Sequence, residues 1–294
     1  MEGREMKAYR ILSVFIYCLI LILPTLLSAA PDSTQAILYR IELTDGSVLM
    51  GTILSEDENS IQFRTVSELE ITILKDRILK REVSSAKIVE GKVWRSDPNR
   101  TRLFFAPTGR ALKSGQGYFS VYEIFFPFIA VGVTDFLALA GGLSLFPGSS
   151  EQLFYLAPKI TPIQLGKFDL SAGVLYIFVP NEEDNAGIFY GVGTYGSQSA
   201  SLTLGMGFGF SGGDVADKPV FAVGAELRSS NSVAFITENW FIPDSEYQIV
   251  SFGLRFFGEN LAADFGLIHP AGADTEGFPF FPWIGFAYNF GAVH

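Results

Sequence analysis

The stretch "ASLTLGMGFGF" (200–210) constrains the fold more than any other part of this chain. Ala200, Leu202, Leu204, Met206, Phe208 and Phe210 fall on one face of an extended strand, and Ser201, Thr203, Gly205, Gly207 and Gly209 fall on the other. The second face is nearly bare backbone and cannot pack as the core of an ordinary sandwich. "FDLSAGVLYIF" repeats the pattern, with Phe168, Leu170, Ala172, Val174, Tyr176 and Phe178 opposite Asp169, Ser171 and Gly173. "LAADFGLI" sets Leu261, Ala263, Phe265 and Leu267 against Asp264 and Gly266. Segments of about ten residues, apolar on one face and polar or tiny on the other, predict strands that face lipid outward and a lumen inward. Such a sheet must close, because an open edge in lipid leaves its N–H and C=O groups without partners. The expected fold class is therefore all-β: a transmembrane antiparallel β-barrel.

Composition agrees. The chain holds 28 Phe, 11 Tyr and 30 Gly, which suits many short strands. Beyond the N-terminus no apolar run approaches the roughly 20 residues of a membrane-spanning helix.

Connection lengths predict the strand count and orientation. Short links at 134–135, 165–167, 197–199, 229–231 and 258–260 alternate with longer or more polar links at 147–151, 181–185, 211–218, 242–246 and 270–279. Barrels of this class turn tightly on the periplasmic side and loop more freely outside. The links give eleven strands from Tyr118 onward, and an even number is expected. "TRLFFAP" (101–107) is the only candidate for a twelfth. "TGRALKSGQG" then becomes an external loop carrying Arg110 and Lys113, a cationic tip expected to meet acidic lipid headgroups. Ten strands is the alternative, if Pro127 and Pro158 mark strand ends.

The final strand alternates Ile284, Phe286, Tyr288 and Phe290. It resembles the C-terminal aromatic signal that outer-membrane barrels present to their assembly machinery, although "GAVH" follows Phe290. Together, "FFAPTGR", "GVTDFLALAGG" and "LRFFGENLAADFGL" resemble a family of Gram-negative outer-membrane β-barrels, over residues 99–290. The resemblance implies a location in the cell outer membrane, with its lipids and assembly machinery as partners; it implies no activity.

Ahead of the barrel the texture differs. Residues 1–30 read as a secretory signal, with Lys7 and Arg10 before an apolar core and small residues near Ala29 and Ala30. Residues 37–90 are charged and alternate with period two, with turn signals at Asp45-Gly46 and Glu58-Asn59, predicting a small periplasmic β-domain of four or five strands. "IELTDGSVLMGTIL" followed by "NSIQF" resembles the opening strands of Sm-like, SH3-like domains. The RNA-contacting residues of that family find no match here, and a net charge of −10 argues against nucleic acid. A protein-contacting or spacer role is expected instead. Residues 91–101 read as a linker to a barrel over 102–290.

Inward alternation gathers Glu123, Lys159, Asp169, Glu226, Arg228, Glu238, Arg255 and Asp264 in the lumen. Charges of both signs in a narrow lumen either pair across it or line a path for small solutes. Two function classes follow: a narrow passive channel or uptake barrel, or a non-conducting structural or docking barrel whose module at 37–90 binds a partner or caps the lumen. Outer-membrane phospholipases place Ser and His on a barrel surface, but Asp264 and His269, five apart, fall on opposite strand faces, and the other histidine is His294. No catalytic, metal or cofactor site is expected. Trp240, Trp283 and Tyr288 are expected in interfacial aromatic girdles.

Overall fold

A computed structural model describes residues 37–291 apart from 85, 90–91, 95, 150–151, 181–184 and 274–277. The expected signal segment, most of the acidic loop at 181–185 and His294 lie outside the described residues.

Five strands form the first sheet: β1 (Leu38–Leu43), β2 (Val48–Glu56), β3 (Ser60–Thr65), β4 (Glu70–Leu74) and β5 (Ile78–Val83). Their order is β4-β3-β2-β1-β5, every pairing is antiparallel, and a one-turn 3₁₀ helix, Lys75–Arg77, precedes β5. Alternation explains the core: Ile41, Ile61, Phe63 and Ile73 point to one side and are buried together. The tight β2–β3 turn is fixed by Asp57, whose carboxylate accepts from the Asn59 and Ser60 amides at 2.8 and 2.7 Å. A short hairpin, β6 (Lys87–Val89) and β7 (Lys92–Trp94), leads on.

The second sheet is the barrel. It runs through β8 (Gly117–Tyr122), β9 (Phe126–Gly132), β10 (Leu137–Leu143), β11 (Phe154–Leu156), β12 (Lys159–Leu165), β13 (Phe168–Phe178), β14 (Ala186–Gly196) and β15 (Ala200–Ser211). It continues through β16 (Asp214–Val215), β17 (Val220–Arg228), β18 (Val233–Phe241), β19 (Gln248–Phe257), β20 (Leu261–Ala271) and β21 (Phe281–Phe290). Of these 14 strands, β16 lies off the closed path, and β11 and β12 form one stave interrupted at Pro158, which leaves 12 staves. Pairing of β21 with β8, and of β9 with β10, closes the ring without an edge. Pro127 lies inside β9 and Pro158 in an interruption within a stave, so neither reduces the count to ten.

The number twelve is reached by a different division of the chain from the one the links suggest. "TRLFF" is not a stave. It is irregular, with a single bridge between Arg102 and Pro107, and Leu103 and Phe104 are buried. The additional stave arises because "GYFSVYEIFFPFIAVGV" is a hairpin: β8 turns into β9 at Glu123 and Ile124, which both adopt positive φ (47° and 66°). Non-glycine residues rarely adopt that conformation. No Gly, Asn or Asp marks this turn, so the sequence reads as one long strand.

Outward residues such as Leu204, Met206, Phe252, Phe265 and Phe286 are about half exposed, the apolar band a lipid-facing wall requires. The partners on the inward face, Ser201, Thr203, Ser251, Asp264 and Asn289, are buried. The N-terminus of β8 and the C-terminus of β21 meet at one end with tight turns, which we call the terminal end; the longer connections, and the tight β8–β9 turn, lie at the other, the loop end.

Candidate functional site

The lumen is occupied by the chain itself. From Ser96 the backbone enters at the terminal end, reaches a tip at Leu103–Ala106, and returns to Gln116, where the Gln116 carbonyl accepts from the Gly132 amide at 2.8 Å. This plug carries Asp97, Asn99, Arg102 and Arg110, all buried. Arg102 donates to Asp264 at 2.6 Å, and the same carboxylate receives Nε of Arg255 at 2.6 Å. Arg102, Arg255 and Asp264 are 2%, 0% and 0% exposed, so these are charges fully withdrawn from water. Arg255 also reaches back to the plug, donating to Asp97 and to the Asn99 carbonyl, each at 3.0 Å.

A second tie lies near the β14–β15 turn, where Arg110 also donates to the Ser197 carbonyl. Arg110 donates to Glu226 at 2.8 Å, and Ser201 donates to the same carboxylate oxygen at 3.0 Å. Arg255 lies 3.6 Å from the other oxygen of Glu226, which joins the two ties into one network. Glu238 receives the amides of Phe105 and Ala106 at 2.9 and 3.0 Å, and the Trp240 indole at 2.8 Å. Lys159 donates to the carbonyls of Thr108 and Arg110 at 3.1 and 2.8 Å. Thr194 accepts from the Gly109 amide at 2.8 Å, and Ser171 donates to the Gly109 carbonyl at 2.7 Å. The plug thus engages β12, β13, β14, β17, β18, β19 and β20, most of the circumference.

Small inward residues make room for it. A Cβ on Gly224 would lie 2.1 Å from Leu103 Cδ1, and one on Gly109 would lie 2.4 Å from the Asp169 carbonyl oxygen. Leu103, Phe104, Ala106 and Ile236 pack together, with Trp240 and Trp283 against them. Gly224 and Gly266 therefore seat the Leu103 and Phe104 side chains, whereas Gly205 and Gly207 face a cavity of about 70 Å³ between wall and plug.

Of the eight inward charges named from the sequence, Lys159, Glu226, Glu238, Arg255 and Asp264 meet the plug directly. Asp169 shares the inward face through its pairing with Thr194 and lies beside Gly109. Arg228 closes the terminal end instead: it donates to the Ser230 and Asn231 carbonyls and sits 4.9 Å from the ring centres of both Trp94 and Phe257. Glu123 is a correction. It belongs to the β8–β9 turn, where its carboxylate accepts from the Ile284 amide at 2.9 Å.

Arg110 and Lys113 are corrections as well. Neither lies on an external loop: Arg110 is buried against Glu226, and Lys113 contacts Gln164 near the terminal end. Trp240 and Trp283 face inward rather than forming a girdle, since each shares strand parity with an inward neighbour, Glu238 or Gly285. Phe286, Tyr288 and Phe290 project outward on the closing strand. The residues that sequence reading missed are Asp97, Asn99 and Arg102. Their signal was the polar density of "RSDPNRTR", taken as linker and strand start.

The five-stranded sheet lies at the terminal end. Arg40 is 3.8 Å from Glu259 in the β19–β20 turn, and Ser96 donates to Gln198 at 3.2 Å.

No family model matches this chain, and no curated protein matches it. Among solved structures it is similar to a KdgM porin in complex with disordered oligogalacturonate, at 9% identity and a TM-score of 0.45, over 60% of this chain and 98% of that one. It is similar to a NanC porin at 7% identity and 0.39, over 59% and 97%. It is also similar to the outer-membrane protein Omp33 of Acinetobacter baumannii at 10% and 0.36, over 62% and 100%. At such scores the architecture rests on the strand pairing described above.

Proposed function

We propose that this chain is an outer-membrane β-barrel closed at rest by its own residues 96–116, a non-conducting barrel that holds a five-stranded docking module at its periplasmic mouth. One observation carries this reading: the plug is tied to the wall by fully buried ion pairs, Arg102 and Arg255 on Asp264 and Arg110 on Glu226. Breaking such a pair by removing one partner costs about 3–5 kcal/mol, so the closed arrangement is strongly specified. The narrow-channel reading requires this segment to leave the lumen.

The half-exposed apolar wall, the closed ring and the division into tight turns and longer loops support an outer-membrane setting with the terminal end in the periplasm. The strand order β4-β3-β2-β1-β5 and the 3₁₀ turn before β5 support the Sm-like, SH3-like reading of the module. The chain's net charge of −10 favours a protein partner over nucleic acid.

Planar-bilayer recording tests the proposal. The full chain is expected to insert silently. A variant with residues 100–112 replaced by a short Gly/Ser linker is expected to give steady ion-permeable steps. Equal conductance from both would overturn the closed-barrel reading.

A further inference from the structure

Between plug and wall lies a cavity of about 90 Å³ whose polar groups are not all used. Arg102 lines it. Nη1 of Arg102 is engaged three times, by the Leu103 and Phe104 carbonyls and by Asp264, yet Nε and Nη2 are buried with no hydrogen-bond partner. The hydroxyl of Thr101, also on the cavity, is buried without a partner too. A buried unsatisfied donor is costly, and three atoms at one cavity need an explanation. The Tyr122 ring, 5.1 Å below the guanidinium, attracts its charge through the flat face and leaves the in-plane donors unmet.

Charge points the same way. Arg102 shares Asp264 with Arg255, which also holds Asp97, so Arg102 has no carboxylate to itself. Lys159, which also lines the cavity, donates only to backbone carbonyls, and among the described residues no carboxylate forms an ion pair with it. The cavity therefore faces an Arg102 that shares its one carboxylate and a Lys159 amine with no ion-pair partner among the described residues. The rest of its wall is apolar or aromatic, including Tyr122, Phe128 and Ala140.

We propose that this cavity is a binding site for a small carboxylate with a short apolar tail. Nε and Nη2 form the side edge of the guanidinium, whose parallel donors match the two oxygens of a carboxylate. The Thr101 hydroxyl adds a donor, and the Lys159 amine, two of whose three donors are used by carbonyls, adds another. The tail lies against Tyr122, Phe128 and Ala140. The volume, about that of three liquid waters, limits the ligand to a few carbon atoms. Occupancy completes the hydrogen bonding of the plug and so stabilises its seat in the barrel.

The test uses the full chain in detergent micelles, titrated calorimetrically with sodium butyrate against sodium chloride at matched ionic strength. Butyrate is expected to bind at one site and to raise the thermal midpoint of the barrel in a concentration-dependent way. Arg102→Gln is expected to weaken binding about tenfold or more. Because that change also loosens the plug, Ala140→Leu serves as the second variant; it fills the cavity from the wall, leaves every ion pair intact and is expected to abolish binding. Butyrate behaving like chloride in the unaltered chain overturns the inference, as does undiminished binding in Ala140→Leu. A barrel that neither conducts nor binds butyrate removes this site and leaves the closed-barrel reading intact.

Discussion

The two interiors of this molecule are built on opposite rules. The five-stranded sheet buries Ile41, Ile61, Phe63 and Ile73 against one another, with no charge among them. The barrel sends its large apolar residues outward and fills its centre with Arg102, Arg110, Glu226, Glu238, Arg255 and Asp264. The difference follows from the surroundings. In water the apolar face of a sheet must turn inward, which stabilises the fold in proportion to the area removed from solvent. In lipid the outer face is already accommodated, and the inner face must solve a polar problem. Ion pairs then specify which segment sits where, even when their net contribution to stability is small.

The comparison breaks most sharply at Asp264. Asp264→Ala removes the carboxylate that Arg102 and Arg255 share and leaves the buried Arg102 without an anion, and should cost about 3–5 kcal/mol. The expected readout is a large drop in the temperature at which the barrel loses its compact mobility on gels. Next, Phe63→Ala should destabilise the small sheet by about 3 kcal/mol through its lost contacts and residual cavity. Limited proteolysis should then cut within residues 37–83 while the barrel keeps its compact mobility; loss of both together would show that the two interiors fold as one.

A smaller effect is expected at Glu238→Gln, which keeps the shape but weakens the hydrogen bonds from Phe105, Ala106 and Trp240. Loss of a charge-assisted acceptor should cost about 1–2 kcal/mol, read as a shift in the barrel's thermal midpoint. The smallest effect belongs to Asp57. The Asn59 amide, then the Ser60 amide and hydroxyl, hold its carboxyl below the usual carboxylate range. A depressed folded-state value means that its contribution is full above the unfolded carboxylate range and disappears as pH falls through the folded value. Thermal melts of the sheet from pH 6 down to pH 2, values chosen to bracket that range, should therefore lose a modest increment of stability in acid. Asp57→Ala should lack that part of the pH dependence and melt slightly lower at neutral pH.

How much of this was legible in the sequence depends on which periodicity governed each residue. In "ASLTLGMGFGF" the period of two is unbroken, and the inward Ser201 and Thr203 and outward Leu204 and Met206 follow directly. The same parity places Trp283 with Gly285 and Trp240 with Glu238, although expectations about interfacial tryptophans pulled the other way. The β8–β9 turn was hidden because Glu123 and Ile124 adopt positive φ without any residue type that advertises it. The plug was hidden for a deeper reason. "TRLFFAP" is apolar and short, the composition of a strand, but its backbone is met by the side chains of Glu238 and Arg255, on staves distant in sequence. Only tertiary structure brings Arg102 to Asp264, 162 residues away.

The most direct test of the account is a disulfide between plug and wall. Leu103 Cγ stands 3.3 Å from where a Cβ on Gly224 would lie, which brings the two Cβ positions near the separation a disulfide spans. In a Cys18→Ser background, Leu103→Cys with Gly224→Cys should cross-link on mild oxidation. The product should show as a mobility shift of the unfolded chain on non-reducing gels that reductant reverses. A correctly folded, compact barrel in which those two cysteines remain unlinked would contradict the placement of residues 96–116 in the lumen.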